Sequence, residues 1–98
     1  MKYFLYRLNP PRPTVTTDQL KLVEEHVLYL DNLMNLGLVI AFGPVDDPKG
    51  SYGVGIIQLQ DDVDPNSIGV NDPAIKANLG FDFEIYPMPT IMLREHRV

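Results

Sequence analysis

The chain has 98 residues, of which 45% are apolar and 21% charged, and its formal net charge is −5. This length predicts one domain over residues 1–98, and the charged fraction is too small for a disordered chain. The acidic balance, with no basic patch, argues against nucleic-acid and anionic-membrane partners, and the absence of cysteine excludes disulfides and thiolate catalysis.

The sequence carries no membrane-directed segment. Arg7 interrupts the N-terminal apolar run before the core of a signal peptide could form. No stretch approaches the roughly 20 apolar residues that are needed to span a bilayer. Together with the absence of cysteine, these features lead us to expect a soluble, cytoplasmic protein.

A strand and a long helix are predicted first along the chain. Residues 2–8 are rich in aromatic and branched side chains, which favours a strand. Thr16 and Gln19 have the spacing of a capping box, and Gly37 is a typical C-cap. The helix is therefore predicted over about 17–36.

This helix has a regular apolar face. Its members recur at spacings of three and four residues, and they are Leu20, Val23, Val27, Leu30 and Met34. The pattern predicts that this face packs on the core. His26 lies about 60° from the centre of the face, on a flank that also carries Leu22, Tyr29 and Leu33.

The rest of the chain predicts shorter elements. In order, they are strands over 38–42 and 52–60, short helical segments over 66–71 and 73–79, and a half-buried strand over 80–86. The resulting order is β-α-β-β-α-β, which predicts an α+β fold of the ferredoxin-like type, an antiparallel sheet with its helices on one face. Since the other face is left uncovered, we predict a homodimer, with the tail over residues 89–98 docking on the partner subunit.

Two residues point to chemistry, and each also has an ordinary structural interpretation. His26 is either a boundary histidine or a general acid–base at the edge of a cleft. Asp72, before Pro73, is either a helix N-cap or the carboxylate that orients His26 in a dyad. The pattern leaves both alternatives open, and it does not show that His26 and Asp72 meet.

Other motifs predict structure only. The run over 62–66 begins like a calcium loop, but Ser67 and Pro73 replace the glycine and glutamate that such a loop requires, so a solvated turn is predicted. The glycines at 50, 53 and 55 lack dinucleotide-binding spacing and predict a turn and close packing. One helical histidine without H-E-x-x-H spacing predicts no metal site, and we expect no cofactor.

Taken in order, several pieces of the chain resemble the YCII-related proteins over most of its length. Besides the opening strand, they are His26 to Leu30, Gly37 with Leu38, Ala41 to Pro44, Asp72 with Pro73, and Ala77 to Gly80. The resemblance implies a ferredoxin-like subunit that dimerises into an α+β barrel. It also implies a cleft that contains a histidine and an aspartate.

These two carry over to His26 and Asp72 as catalytic residues, and Tyr29, one turn from His26, is added as a ligand-binding residue. A few similar proteins remove chloride from hydroxylated aromatic rings, and more distant relatives isomerise lactones. The hypothesis is therefore a cofactor-independent lyase or isomerase that acts on a cyclic or aromatic substrate. The alternative is a non-catalytic homodimer that binds a small ligand or has a structural role.

Overall fold

The computed structural model of the protein describes residues 1–11 and 16–94. These residues form, in chain order, β1 (Lys2–Asn9), α1 (Thr17–Asn35), β2 (Val39–Val45), β3 (Tyr52–Leu59), α2 (Asn66–Val70), α3 (Pro73–Lys76) and β4 (Asp82–Met88). The strands form one antiparallel sheet in the order β2-β3-β1-β4. The predicted α+β fold of the ferredoxin-like type is confirmed.

The helices pack on one face of this sheet. Along β1, the buried residues Phe4, Tyr6 and Leu8 alternate with the half-buried Leu5 and Arg7, because successive strand residues point to opposite faces. The face that carries Leu5 and Arg7 is called the open face below. The buried side chains point towards the helices, so the core lies between the sheet and α1, α2 and α3.

The ends of α1 follow the predicted capping signals. The Gln19 N–H donates to Thr16 Oγ1 over 3.2 Å, and the Thr16 N–H donates to Gln19 Oε1 over 2.8 Å. At the other end, Gly37 has a φ of 82°, in the left-handed region that favours glycine. The Gly37 and Leu38 N–H groups donate back to the last turn of the helix, which is the Schellman arrangement.

The buried face of α1 differs from the predicted one. Its buried residues are Leu22, His26 and Leu30, whereas Leu20 and Val27 are 55% and 44% exposed. The prediction that Leu20 and Val27 pack on the core was wrong, and His26 lies in the middle of the buried face. A polar side chain can occupy this position because its Nδ1 has a buried hydrogen-bond partner, Asp72.

The two edge strands extend beyond their predicted ends. β2 was predicted to end before Gly43 but continues through Pro44, and β4 was predicted to end at Tyr86 but continues through Pro87. Proline has no N–H to donate, which excludes it from central strands but is tolerated at an edge. Both prolines therefore lie within edge strands, just beyond the predicted ends.

The residues described after β4, up to Arg94, contain no further strand. Among them, Met92 is 70% exposed in the single chain. Residues 95–98, which complete the tail predicted to dock on the partner, lie outside the described residues, as do residues 12–15.

Candidate active site

The polar residues of the site lie between two apolar clusters of the core. One cluster contains Tyr6 and Leu30, and the other contains Leu8 and Leu22. His26 is about one helical turn from both Leu22 and Leu30, and so it lies where the two clusters meet.

His26 and Asp72 are hydrogen-bonded, although 46 positions separate them in the sequence. His26 Nδ1 on α1 lies 2.6 Å from Oδ2 of Asp72, the residue just before α3. The two side chains are 7% and 0% exposed, so the contact is shielded from water. The structure thus brings together the two residues singled out by the sequence, and their catalytic roles stay predictions.

Three hydrogen bonds converge on the Asp72 carboxylate. Oδ1 accepts the Ala74 N–H over 2.9 Å, and Oδ2 accepts the Tyr6 hydroxyl over 2.8 Å as well as the contact with His26. An ionised carboxylate has acceptors only, so His26 Nδ1 is the donor. A neutral His26 ring therefore carries its proton on Nδ1 and an electron pair on Nε2. Asp72 is both the N-cap of α3 and the partner of the histidine.

Tyr6 is a member of the site that the sequence analysis missed. It is fully buried, and its ring lies 6.2 Å from the His26 ring and 5.8 Å from the Phe83 ring, measured between centroids. Burial, together with the charge of Asp72, raises the pKa of the Tyr6 hydroxyl, which keeps it a donor. In sequence, Tyr6 was one of several strand aromatics, and the usable signal was that a buried tyrosine needs a hydrogen-bond partner.

Tyr29 lies beside the dyad but is directed elsewhere. Its hydroxyl donates to the Ile68 carbonyl over 2.8 Å, which ties α1 to α2. Burial, with the charge of Asp72, raises the pKa of Tyr29 to about 12. Tyr29 is not among the residues that line the cavity described next, and its ligand-binding role stays a prediction.

A cavity of about 800 Å³ opens against the other side of His26. Its polar side chains include His26, Lys49 and Ser51, and its apolar wall is formed mainly by Leu8, Leu20, Val23, Val27, Phe42 and Pro44. Among the described residues, no group forms a hydrogen bond with His26 Nε2. The residues that were expected in the core, Leu20 and Val27, therefore form part of a cavity wall.

The acidic run that resembles the start of a calcium loop forms a turn. Asp64 accepts the Asn66 N–H on Oδ1 and the Ser67 N–H on its carbonyl, at the turn that opens α2.

Within residues 1–11 and 16–94, no three carboxylate or histidine side chains are grouped so that they could hold a metal ion. No helix in the part of the chain that the structure describes is long and apolar enough to cross a membrane.

Comparison with solved structures finds a similar fold in an enzyme. The 5-chloro-2-hydroxyhydroquinone dehydrochlorinase of Burkholderia phenoliruptrix, solved in complex with 2,5-dihydroxybenzoquinone, superposes with a TM-score of 0.57. It is 22% identical, and the match covers 86% of this chain and 91% of the dehydrochlorinase. At this identity the likeness shows a shared fold.

Comparison at the level of sequence gives the family. No curated protein matches the chain. The model of the YCII-related domain matches residues 1–89, nearly the whole chain. The protein therefore belongs to the YCII-related domain family.

Proposed function

We propose that the protein is a small-molecule enzyme of the lyase or isomerase type, in which His26 transfers a proton and Asp72 orients it. The observation that carries the proposal is the position of the imidazole. Its Nδ1 lies 2.6 Å from a buried carboxylate, and its ring forms part of the wall of an apolar cavity. Within the part of the chain that the structure describes, no group is hydrogen-bonded to the other ring nitrogen, Nε2. An oriented imidazole of this kind at a cavity is what general acid–base catalysis requires.

The proposed reaction begins with proton transfer to Nε2. His26 takes a proton from a C–H or O–H group of a bound cyclic substrate, and the imidazolium that forms is stabilised by the Asp72 carboxylate on Nδ1. In an elimination, the electron pair left behind moves through the ring and expels an anionic leaving group. In an isomerisation, His26 returns the proton to another carbon. Neither reaction changes the oxidation state of the protein, and neither requires a cofactor.

The cavity favours a mainly apolar substrate with few polar groups. A volume of about 800 Å³ falls within the range of small-molecule sites, which is about 300–1,000 Å³. The related dehydrochlorinase was solved with a hydroxylated six-membered ring. Hydroxylated rings and lactones delocalise the charge that proton removal creates, and we propose this class as substrates.

A turnover assay of wild type and His26→Ala tests the proposal. Both proteins are incubated with a panel of cyclic hydroxylated compounds and lactones, with product formation followed by chromatography. Since general acid–base catalysis contributes about 10²–10⁴-fold, we expect the variant to lose at least the lower of these factors. Leu28→Ala, an exposed change on the same helix, is the control and should keep full activity. Equal turnover by wild type and His26→Ala would exclude the dyad mechanism.

The second candidate is a non-catalytic protein that binds a small ligand, and the apolar cavity itself favours it. In that case, panel compounds would bind in calorimetric titrations without being converted. Binding with no turnover of any panel compound by wild type would favour this alternative.

We also propose that two chains form a homodimer through the open face, and that the protein is cytoplasmic. Leu5 and Ile56 are paired in the β1–β3 ladder, and both side chains point to the open face. Covering such a face removes apolar surface from water. Light scattering at micromolar concentration should give a dimer mass, and Ile56→Glu should give a monomer. Leu28→Glu, at a residue that is 64% exposed on α1, is the matched control. A monomeric wild type would contradict the dimer proposal.

A further inference from the structure

Gly53 in β3 lies beside His26 Nε2, the ring nitrogen that has no hydrogen-bond partner among residues 1–11 and 16–94. It is paired with Leu8 of β1 and Pro44 of β2, and it lines the same cavity as His26. Its φ is outside the left-handed region, so its backbone conformation does not require glycine. The sequence pattern predicted that this glycine serves a turn or close packing, and the space around it indicates a different role.

A methyl-sized space is present at Gly53. A Cβ built on its backbone would lie 3.5 Å from His26 Nε2 and 4.0 Å from Leu8 Cβ, and apart from its chain neighbours no other described residue has an atom within 4 Å. Both distances are ordinary van der Waals contacts, so alanine would fit without displacing a neighbour. The close packing expected of this glycine is therefore absent, and the missing side chain leaves space against Nε2.

We propose that Gly53 determines access to the reactive atom of the site. Because glycine has no side chain, space remains at the point where the reacting group of a ligand would meet His26 Nε2. This inference rests on the proposed function, because it gives Nε2 a partner from outside the protein. A proton donor must come to about 2.6–3.2 Å from the base that accepts its proton. A methyl group in contact with Nε2 would occupy that approach.

The class of ligand follows from what borders this space, which is His26 Nε2 on one side and the apolar wall of the cavity on the other. The group that meets Nε2 must offer an O–H or an acidic C–H, while the rest of the molecule lies against the apolar wall that includes Val23, Val27 and Phe42. With alanine at position 53, we expect the reacting group to be held away from Nε2 although the apolar wall is unchanged. A change at Gly53 should therefore impair reaction at His26 while leaving binding to the apolar wall intact.

Chemical labelling of His26 measures this access without knowledge of the substrate. The probe is diethyl pyrocarbonate, whose carbonyl carbon is attacked by the electron pair of a neutral imidazole nitrogen. An N–C bond forms, the anhydride C–O bond breaks, and ethanol and carbon dioxide leave. Because Nδ1 is hydrogen-bonded to Asp72, the label should attach at Nε2. The labelling rate of the peptide that carries His26 is measured by mass spectrometry in wild type, Gly53→Ala and Gly43→Ala.

Gly43→Ala is the matched control. Gly43 lines the same cavity with its backbone on the neighbouring strand. A Cβ built there would point to the open face and would have no described atom within 4 Å apart from its chain neighbours. We expect Gly53→Ala to lower the labelling rate of His26 by about tenfold or more, equivalent to about 1.4 kcal/mol in the barrier. Gly43→Ala should label at nearly the wild-type rate, and both variants should unfold thermally at nearly the wild-type temperature.

Each other outcome overturns the inference. A wild-type labelling rate in Gly53→Ala would show that the open position does not control access to Nε2. A large loss of thermal stability in the same variant would show that the space is not free. The proposed function is tested separately by the turnover of His26→Ala. Equal turnover there would exclude catalysis by His26 and leave the labelling result standing.

Discussion

The Tyr6 hydroxyl provides a direct measure of how strongly the buried network stabilises the fold. Tyr6→Phe removes one hydroxyl and keeps the ring, so the contacts with the rings of His26 and Phe83 remain. The lost hydrogen bond is 2.8 Å long, and its acceptor belongs to a carboxylate that is 0% exposed. Hydrogen bonds to charged groups contribute about 1.5–3 kcal/mol, and we expect Tyr6→Phe to destabilise the protein by that amount.

Tyr29→Phe is the matched control for this measurement. It removes the same atom from a hydrogen bond of the same length, but the acceptor is a neutral backbone carbonyl. The expected loss is about 0.5–1.5 kcal/mol, so the two variants should differ by about 1 kcal/mol. For a domain of this size, that difference corresponds to about 4–8 °C in the unfolding midpoint. Circular dichroism of thermal and urea unfolding, at one protein concentration, measures it. If Tyr6→Phe were no less stable than Tyr29→Phe, the buried carboxylate would not be the strong acceptor inferred here.

Two further predictions concern packing and pH. A Cβ at Gly69 would overlap the ring of Phe83, so Gly69→Ala should destabilise the protein by about 1–3 kcal/mol in urea unfolding. Gly43→Ala, whose Cβ would contact no described residue beyond its chain neighbours, should be nearly neutral, and equal stability of the two variants would contradict this packing argument. The pKa of Tyr29 is about 12 in the folded protein and about 10 in an unfolded chain. The contribution of this difference to the free energy of unfolding is therefore complete below about pH 10 and is lost as the pH rises to about 12. Urea midpoints over this range should fall less steeply in Tyr29→Phe than in wild type, and parallel curves would refute the linkage.

The sequence predicted the existence of α1 better than its orientation. Capping by Thr16 and Gln19 is a local property, and both signals describe the structure correctly. The orientation was inferred from apolar residues, and that inference assumes that a polar side chain avoids the core. His26 breaks the assumption because Asp72 satisfies its Nδ1, while Leu20 finds a place at a cavity.

The candidate site was only partly predictable, because its contacts join distant segments. Tyr6 and Asp72 are separated by 66 positions, and no periodicity along the chain reports that they meet. Asp72 was chosen because the step to Pro73 marks a helix start, and its second role appears only once α1 is packed beside α3. The residue pattern offered the pairing of His26 with Asp72 only as one of two alternatives, and the resemblance to the family favoured it.

The prolines of the two edge strands have a consequence for how the molecule associates with other molecules. An exposed edge with free N–H and C=O groups invites strand addition by another chain and, in time, amyloid-like stacking. Pro44 in β2 and Pro87 in β4 each remove a donor from such an edge and interrupt its row of hydrogen-bonding groups. Both lateral borders of the sheet are thereby less suited to strand addition. In the homodimer that we propose, self-association would instead use the open face, and the assembly would close on itself after two copies.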